Sequence, residues 1–71
     1  MLLTVNGAAR ELAAGQTVAD LLVCLEIRGR IAVEVNGELV PRSAHARHVL
    51  VDGDRVEIVH AIGGGQPGPS R

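Results

Sequence analysis

The sequence predicts an α+β domain in which one amphipathic helix lies across one face of a mixed β-sheet. Three observations predict it. Two Asn-Gly pairs, Asn6-Gly7 and Asn36-Gly37, each separate short β-compatible runs, and both residue types tolerate the positive φ of a tight hairpin turn. Val18, Leu21, Leu22 and Leu25 recur at i, i+3, i+4 and i+7, the stripe of one helix face. Ile31, Val33 and Val35, and later Val56 and Ile58, alternate with Ala32, Glu34, Arg55 and Glu57, the period-two pattern of strands with one buried side.

Taken in order, Met1–Val5 is a first strand and Asn6-Gly7 its turn. Ala8–Ala13 returns as a second strand, weakened by its Ala and Glu content. Ala14-Gly15-Gln16 breaks the pairing. Thr17 is the expected helix N-cap, with Asp20 three residues on forming a variant capping box, and Gly29 is the expected helix stop. Ile31–Val35 is a half-buried strand, Asn36-Gly37 a second turn and Glu38–Val40 a short continuation. Pro41 has no N–H to donate and ends the ladder. Arg42–Arg47 reads as an irregular crossover, His48–Val51 as a brief apolar stretch and Asp52-Gly53-Asp54 as a tight turn. The last strand starts at Arg55 and runs into His60-Ala61-Ile62. The composition then shifts to Gly63-Gly64-Gly65 followed by Gln66–Arg71, with almost nothing to bury. Residues 1–62 are therefore expected to fold, and residues 63–71 to form a flexible Gly-rich tail able to reach about 30 Å when extended.

Composition narrows the possible chemistry. Hydrophobic residues make up 46% of the 71 residues, yet Phe, Trp and Tyr are all zero, so the core must be aliphatic. Ten or so such side chains, at about 1.5–3 kcal/mol each, give a modest core with little room for a pocket. Missing aromatics and a net charge of -1 argue against nucleic-acid binding, which uses stacking platforms and bulk positive charge. All seven basic residues are Arg, which excludes chemistry based on an internal lysine amine. The lone Cys24 can form no internal disulfide, and there is no paired CxxC zinc pattern. Met1–Val5 lacks the basic n-region and long apolar stretch expected of a signal peptide, and no run approaches the ~20 apolar residues of a membrane span. A cytoplasmic location is expected.

No catalytic set converges. The carboxylates are spread over turns and outward strand positions; Asp52 and Asp54 flank Gly53 as turn formers rather than cation ligands. His45-x-x-His48 has metal-competent spacing on a helix, but lacks a third ligand and reads as two surface histidines in a crossover. His60, in the last strand, is open to packing or partner contact. Cys24 lies off the apolar stripe near the helix C-terminus, a position that disfavours a reactive thiolate. The chain is not expected to be an enzyme. Gly63-Gly64-Gly65 lacks the following Lys-Ser/Thr of a phosphate loop. It is either a linker or a side-chain-free strand narrow enough to thread into another protein's active site. With Ile58 facing the core, Val59 and Ala61 alternate outward, and Val59, Ala61 and Ile62 are the expected partner contacts beside the tail.

The segments Val5-Asn6-Gly7, Ala14–Leu22, Ile31–Arg42, Leu50–Val59 and Ile62–Gly65 together resemble the ThiS-type sulfur carriers of thiamine thiazole synthesis, within the ubiquitin-like β-grasp proteins. The resemblance covers Met1–Gly65. It implies a β-grasp fold and a carrier whose terminal glycine carboxylate is adenylated by a ThiF-type partner using ATP and Mg²⁺. Sulfur drawn from a cysteine desulfurase then converts it to a thiocarboxylate, which a thiazole synthase consumes. By that implication Gly65 bears the sulfur, and Gly63 and Gly64 line the threading channel. The chain continues past the glycines, however, and a peptide bond to Gln66 leaves Gly65 without a carboxylate. Three explanations stay open: a protease trims after Gly65, residues 66–71 are an artefact of the sequence, or sulfur transfer is lost and the fold persists as a binding module. Trimming or artefact is favoured. A carrier for molybdopterin or another sulfur-containing metabolite is the neighbouring alternative.

Overall fold

The computed structural model describes residues 1–60. Their elements are β1 (Leu2–Val5), β2 (Ala8–Glu11), α1 (Val18–Cys24), β3 (Ile31–Val35), β4 (Glu38–Val40), a 3₁₀ turn (Arg42–Ala44) and β5 (Arg55–His60). They build one five-stranded sheet in the order β2-β1-β5-β3-β4. Only β1 and β5 run parallel; β1–β2, β3–β4 and β3–β5 are antiparallel. The mixed sheet with one helix on one face is as the periodicity predicts. The expected end of the last strand at Ala61-Ile62, the domain boundary after residue 62 and the flexible tail lie outside the described residues.

Both Asn-Gly turns form with both residues at positive φ: Asn6 49° and Gly7 84°, Asn36 53° and Gly37 86°. That geometry matches the right-handed twist of the flanking strands. β2 ends at Glu11 rather than Ala13, but the pairing runs one residue further through the Leu12 N–H, which donates to the Met1 carbonyl at 2.9 Å.

The helix starts as its sequence dictates. The Thr17 hydroxyl accepts from the Asp20 N–H at 3.2 Å, and the Asp20 carboxylate accepts from the Thr17 N–H at 2.9 Å, a complete capping box. Its end corrects the sequence reading. Gly29 is not the stop; α1 closes earlier, with Glu26 at φ 58°. The Ile27 N–H donates to Leu22 O and the Glu26 N–H to Val23 O. These are the two bonds of a Schellman motif, with glutamate where glycine is usual. Leu25 thereby becomes the cap residue and only partly joins the stripe.

Eleven aliphatic residues form the core: Leu3, Val5, Val18, Leu21, Leu22, Val33, Val35, Val40, Leu50, Val56 and Ile58. Leu50 is anchored from the crossover, where its N–H donates to Gln16 O. The same segment caps the helix: the Val18 N–H donates to His48 O and the Ala19 N–H to His45 O, both at 3.0 Å. The crossover is thus fastened rather than irregular throughout.

Two polar residues are placed differently from the sequence expectation. His45 is buried, not a surface histidine, and its Nε2–H donates to the Val40 carbonyl at 3.1 Å. Asp54 is also buried rather than solvated. It accepts from the Asn36 amide at 2.9 Å and from the Val51 N–H at 2.9 Å. Each satisfies a donor or carbonyl that burial would otherwise strand.

Candidate functional site

The strand that leads into the glycines is β5, and it sits in the middle of the sheet between β1 and β3. Its backbone is held on both flanks by more than the regular ladder. On the β1 side, the Asn6 amide reaches across: Oδ1 accepts from the Ile58 N–H at 2.7 Å and Nδ2 donates to Ile58 O at 3.1 Å. β1 stops at Val5, so this side chain extends the ladder where backbone is lacking. On the β3 side, the Asn36 N–H donates to Arg55 O at 2.7 Å, and Asn36 Oδ1 accepts from the Arg55 N–H at 2.9 Å. Sequence reading identified both asparagines as turn formers only. The same property that suits them to positive φ, a short side chain carrying an amide, also lets them grip a neighbouring strand.

β5 buries Val56 and Ile58 and exposes Arg55, Glu57, Val59 and His60. Val59 is 61% exposed, as its alternation predicts. On this outer face it lies opposite Ala32, while Glu57 lies opposite Glu34 and Glu34 opposite Leu39. Glu34 and Glu57 form a like-charge cross-strand pair, an arrangement that weakens rather than supports a sheet. Leu39 is 65% exposed. The face is therefore a small apolar surface with a carboxylate pair at its middle. Ala61, Ile62, Gly63, Gly64 and Gly65 lie outside the described residues; β5 places only their point of departure, at His60.

The remaining candidates are dispersed. Cys24 is exposed on α1 beside Val23, off the apolar stripe as expected. Among the described residues there is no cavity and no grouping of three or more His, Cys, Asp or Glu able to hold a metal. No helix among them is long and apolar enough to cross a membrane.

Comparison with known proteins bears on this arrangement. Residues 3–65 match the sequence model of the ThiS family. The chain is 41% identical over 61 residues to the sulfur carrier protein ThiS of Escherichia coli, covering 84% of this chain and 92% of that one. It is also 47% identical over 66 residues to a thiazole synthase of Paramagnetospirillum magneticum, covering 92% of this chain but 20% of the synthase. A thiazole synthase of Magnetococcus marinus matches at 38% over 71 residues, covering 99% of this chain and 22% of that one. The chain thus spans about a fifth of the length of these synthases. Among solved structures, the crystal structure of the thiamine biosynthesis protein ThiS from Geobacter metallireducens superposes with a TM-score of 0.81 at 38% identity, covering 92% of this chain and all of that one.

Proposed function

Since the chain belongs to the ThiS family of sulfur carriers in thiamine biosynthesis, we propose that it delivers sulfur to thiazole formation as a thiocarboxylate carried on Gly65, acting as a carrier and not as an enzyme. One observation carries the reading: the family match runs through residue 65, the third glycine, and takes in the tail together with the domain.

The chemistry follows from what a carboxylate lacks. It is a poor electrophile until one oxygen becomes part of a good leaving group. A ThiF-type partner supplies this by letting the Gly65 carboxylate attack the α-phosphorus of ATP, with Mg²⁺ on the phosphates and pyrophosphate departing. A persulfide that a cysteine desulfurase forms then displaces AMP to give an acyl disulfide, and a thiol reductant cleaves its S–S bond, leaving the thiocarboxylate. The product is a soft nucleophile usable near neutral pH. The chain's own contribution is presentation. β5, gripped by Asn6 and Asn36, fixes where the tail leaves, and Gly63 and Gly64 give it the slimness to enter a partner's channel. Val59 on the exposed face, with Ala61 and Ile62 further along, forms the partner contact. All seven basic residues are Arg, so no ε-amine within the chain can capture the activated tail.

The acceptor in this reading is a thiazole synthase. Two such synthases carry a segment resembling this chain within a polypeptide about five times its length. Physical linkage of carrier and consumer raises their effective concentration without any new contact, which suits a labile cargo. The ATP-using steps place the system in the cytoplasm. Activation requires removal of residues 66–71, because only a chain ending at Gly65 has the carboxylate to adenylate.

The test compares the full chain with one ending at Gly65 in a mixture of ThiF-type enzyme, ATP and Mg²⁺. Pyrophosphate release is expected for the shorter chain and not for the full one. In native cells, intact mass with C-terminal fragmentation should show loss of residues 66–71 and an oxygen-to-sulfur exchange localised to Gly65. A shorter chain that releases no pyrophosphate, or a native chain that ends at Arg71 and carries no sulfur under thiamine starvation, refutes the proposal.

A further inference from the structure

The end of the sheet from which the tail departs carries a concentration of positive charge that the fold does not require. Ile31 lies directly opposite His60 in the β3–β5 ladder, so Arg30 is one residue from a position roughly 5 Å from the last described residue of β5. Arg28 stands on the same connection from α1. Arg42 reaches this connection from the other side, through the sheet edge: β4 ends at Val40 beside Val33, and the Arg42 Nη2 donates to Gly29 O at 3.0 Å. That bond sets its guanidinium between Arg28 and Arg30 along the chain. All three arginines are exposed. Glu26 is the one carboxylate on the same connection, which leaves a net positive collar. Arg42 donates to a carbonyl and not to a carboxylate, so it adds charge to the collar rather than neutralising any. The opposite end of the sheet holds the Asp52–Asp54 turn, Glu38 and Glu11 together with Arg10 and Arg55. In a chain of net charge -1, the end from which the tail leaves thus carries three arginines against one carboxylate, while the far end is mixed.

We propose that Arg28, Arg30 and Arg42 form a docking collar that recognises a protein surface bearing carboxylates around the mouth of the channel receiving the tail. This rests on the carrier reading above. A glycine tail has no side chains with which to choose an entrance, so orientation has to come from the domain at its base. Complementary charge does this at the encounter stage, raising association rates more than it slows dissociation. The collar suits that task because its three groups are planar forks matched to carboxylates and lie together on the β3 side of the strand that leads to the tail. The carboxylate pair Glu34–Glu57, further down the outer face, sets the opposite sign beyond it, so a partner rotated end to end meets like charge.

The test is the association of the chain ending at Gly65, the form the carrier reading makes competent, with an immobilised ThiF-type adenylating enzyme at about 0.05 M and about 0.5 M salt, a range over which surface charges pass from weakly to strongly screened. The variant is Arg28→Glu/Arg30→Glu, with Arg10→Glu on the distant edge strand β2 as the control for bulk charge. The double variant is expected to associate tenfold or more slowly at low salt, to approach the wild type at high salt, and to dissociate at a similar rate; Arg10→Glu should change the rate less than twofold. If the double variant loses its far-UV circular dichroism, Arg28→Gln/Arg30→Gln replaces it, with a smaller slowing expected. Wild-type rates in the folded variants, or equal slowing by Arg10→Glu, overturn the collar alone. A wild-type chain that fails to bind the enzyme overturns the carrier reading and the collar with it. Capture of the wild-type chain, and not the variant, by immobilised polyphosphate at about 0.15 M salt would make the site one for polyanions and overturn the proposal.

Discussion

Replacing Asn6 with glycine separates two contributions that a single residue makes to the tail-bearing strand. Asn6 holds φ at 49°, which glycine also adopts freely, so Asn6→Gly keeps the turn. What it removes is the pair of bonds to Ile58, at 2.7 and 3.1 Å and partly buried. Two such bonds are worth about 1–3 kcal/mol net. Glycine adds about 0.4–1 kcal/mol through the greater freedom of the unfolded chain. The sum is a destabilisation of about 1.5–4 kcal/mol, or roughly 6–30 °C in melting temperature for a domain this small. The chain has no Trp, Tyr or Phe and hence no useful intrinsic fluorescence, so urea unfolding is followed by far-UV circular dichroism. The slope of free energy on denaturant should stay that of the wild type, showing that the compactness of the two states is unchanged. Asn6→Asp retains an acceptor for the Ile58 N–H but sets an oxygen against the Ile58 carbonyl, and should be at least as destabilising. An Asn6→Gly chain within about 0.5 kcal/mol of the wild type, less than one hydrogen bond is worth, would show that the turn's backbone geometry accounts for the asparagine and that the amide clamp contributes nothing.

Other consequences follow from single residues. Glu26→Gly should stabilise the domain by about 0.5 kcal/mol, since relief of left-handed strain (~1 kcal/mol) exceeds the added unfolded-state entropy; a lower melting temperature would refute the Schellman reading. Asp54→Ala should cost about 1–3 kcal/mol by removing the acceptor of the part-buried Val51 N–H and Asn36 amide bonds, measured by urea titration. Thr17→Ala should cost about 1 kcal/mol through loss of the capping box, and an unchanged midpoint would count against it. Val59→Asp should weaken binding of the adenylating enzyme in calorimetry while moving the unfolding midpoint by less than about 1 kcal/mol, the span of strand propensities; intact affinity, or a collapse in stability, would remove Val59 from the contact surface.

Most of the fold is written locally in the residues. Both Asn-Gly turns, the Thr17–Asp20 box and the alternation of Val33, Val35, Val56 and Ile58 each depend on neighbours within a few positions, and each forms as the spacing indicates. What the sequence conceals is long-range partnership. Nothing around His45 announces that its ring will find the Val40 carbonyl, or that its own carbonyl will cap Ala19. Asp54 looks like any turn aspartate until Asn36 is folded against it. Gly29 points to the wrong helix end because glycine is the usual left-handed residue, while Glu26 adopts that conformation as the Ile27 N–H bonds back to Leu22. For the site, outward Val59 was readable from period two. The grip of Asn6 on Ile58 was not, because it joins residues 52 apart.

The parallel pairing of β1 with β5 has a mechanical meaning. The two strands lie side by side and point the same way, with β1 at the amino-terminal end of the chain and β5 leading to the tail. A pull applied between the two ends drives the strands past each other along their length, so the ladder and the Asn6 clamp are loaded together rather than opened one bond at a time. Antiparallel β3 shares that load from the other side. A pull on the chain beyond His60 against an anchored amino terminus is therefore resisted by the sheet as one unit.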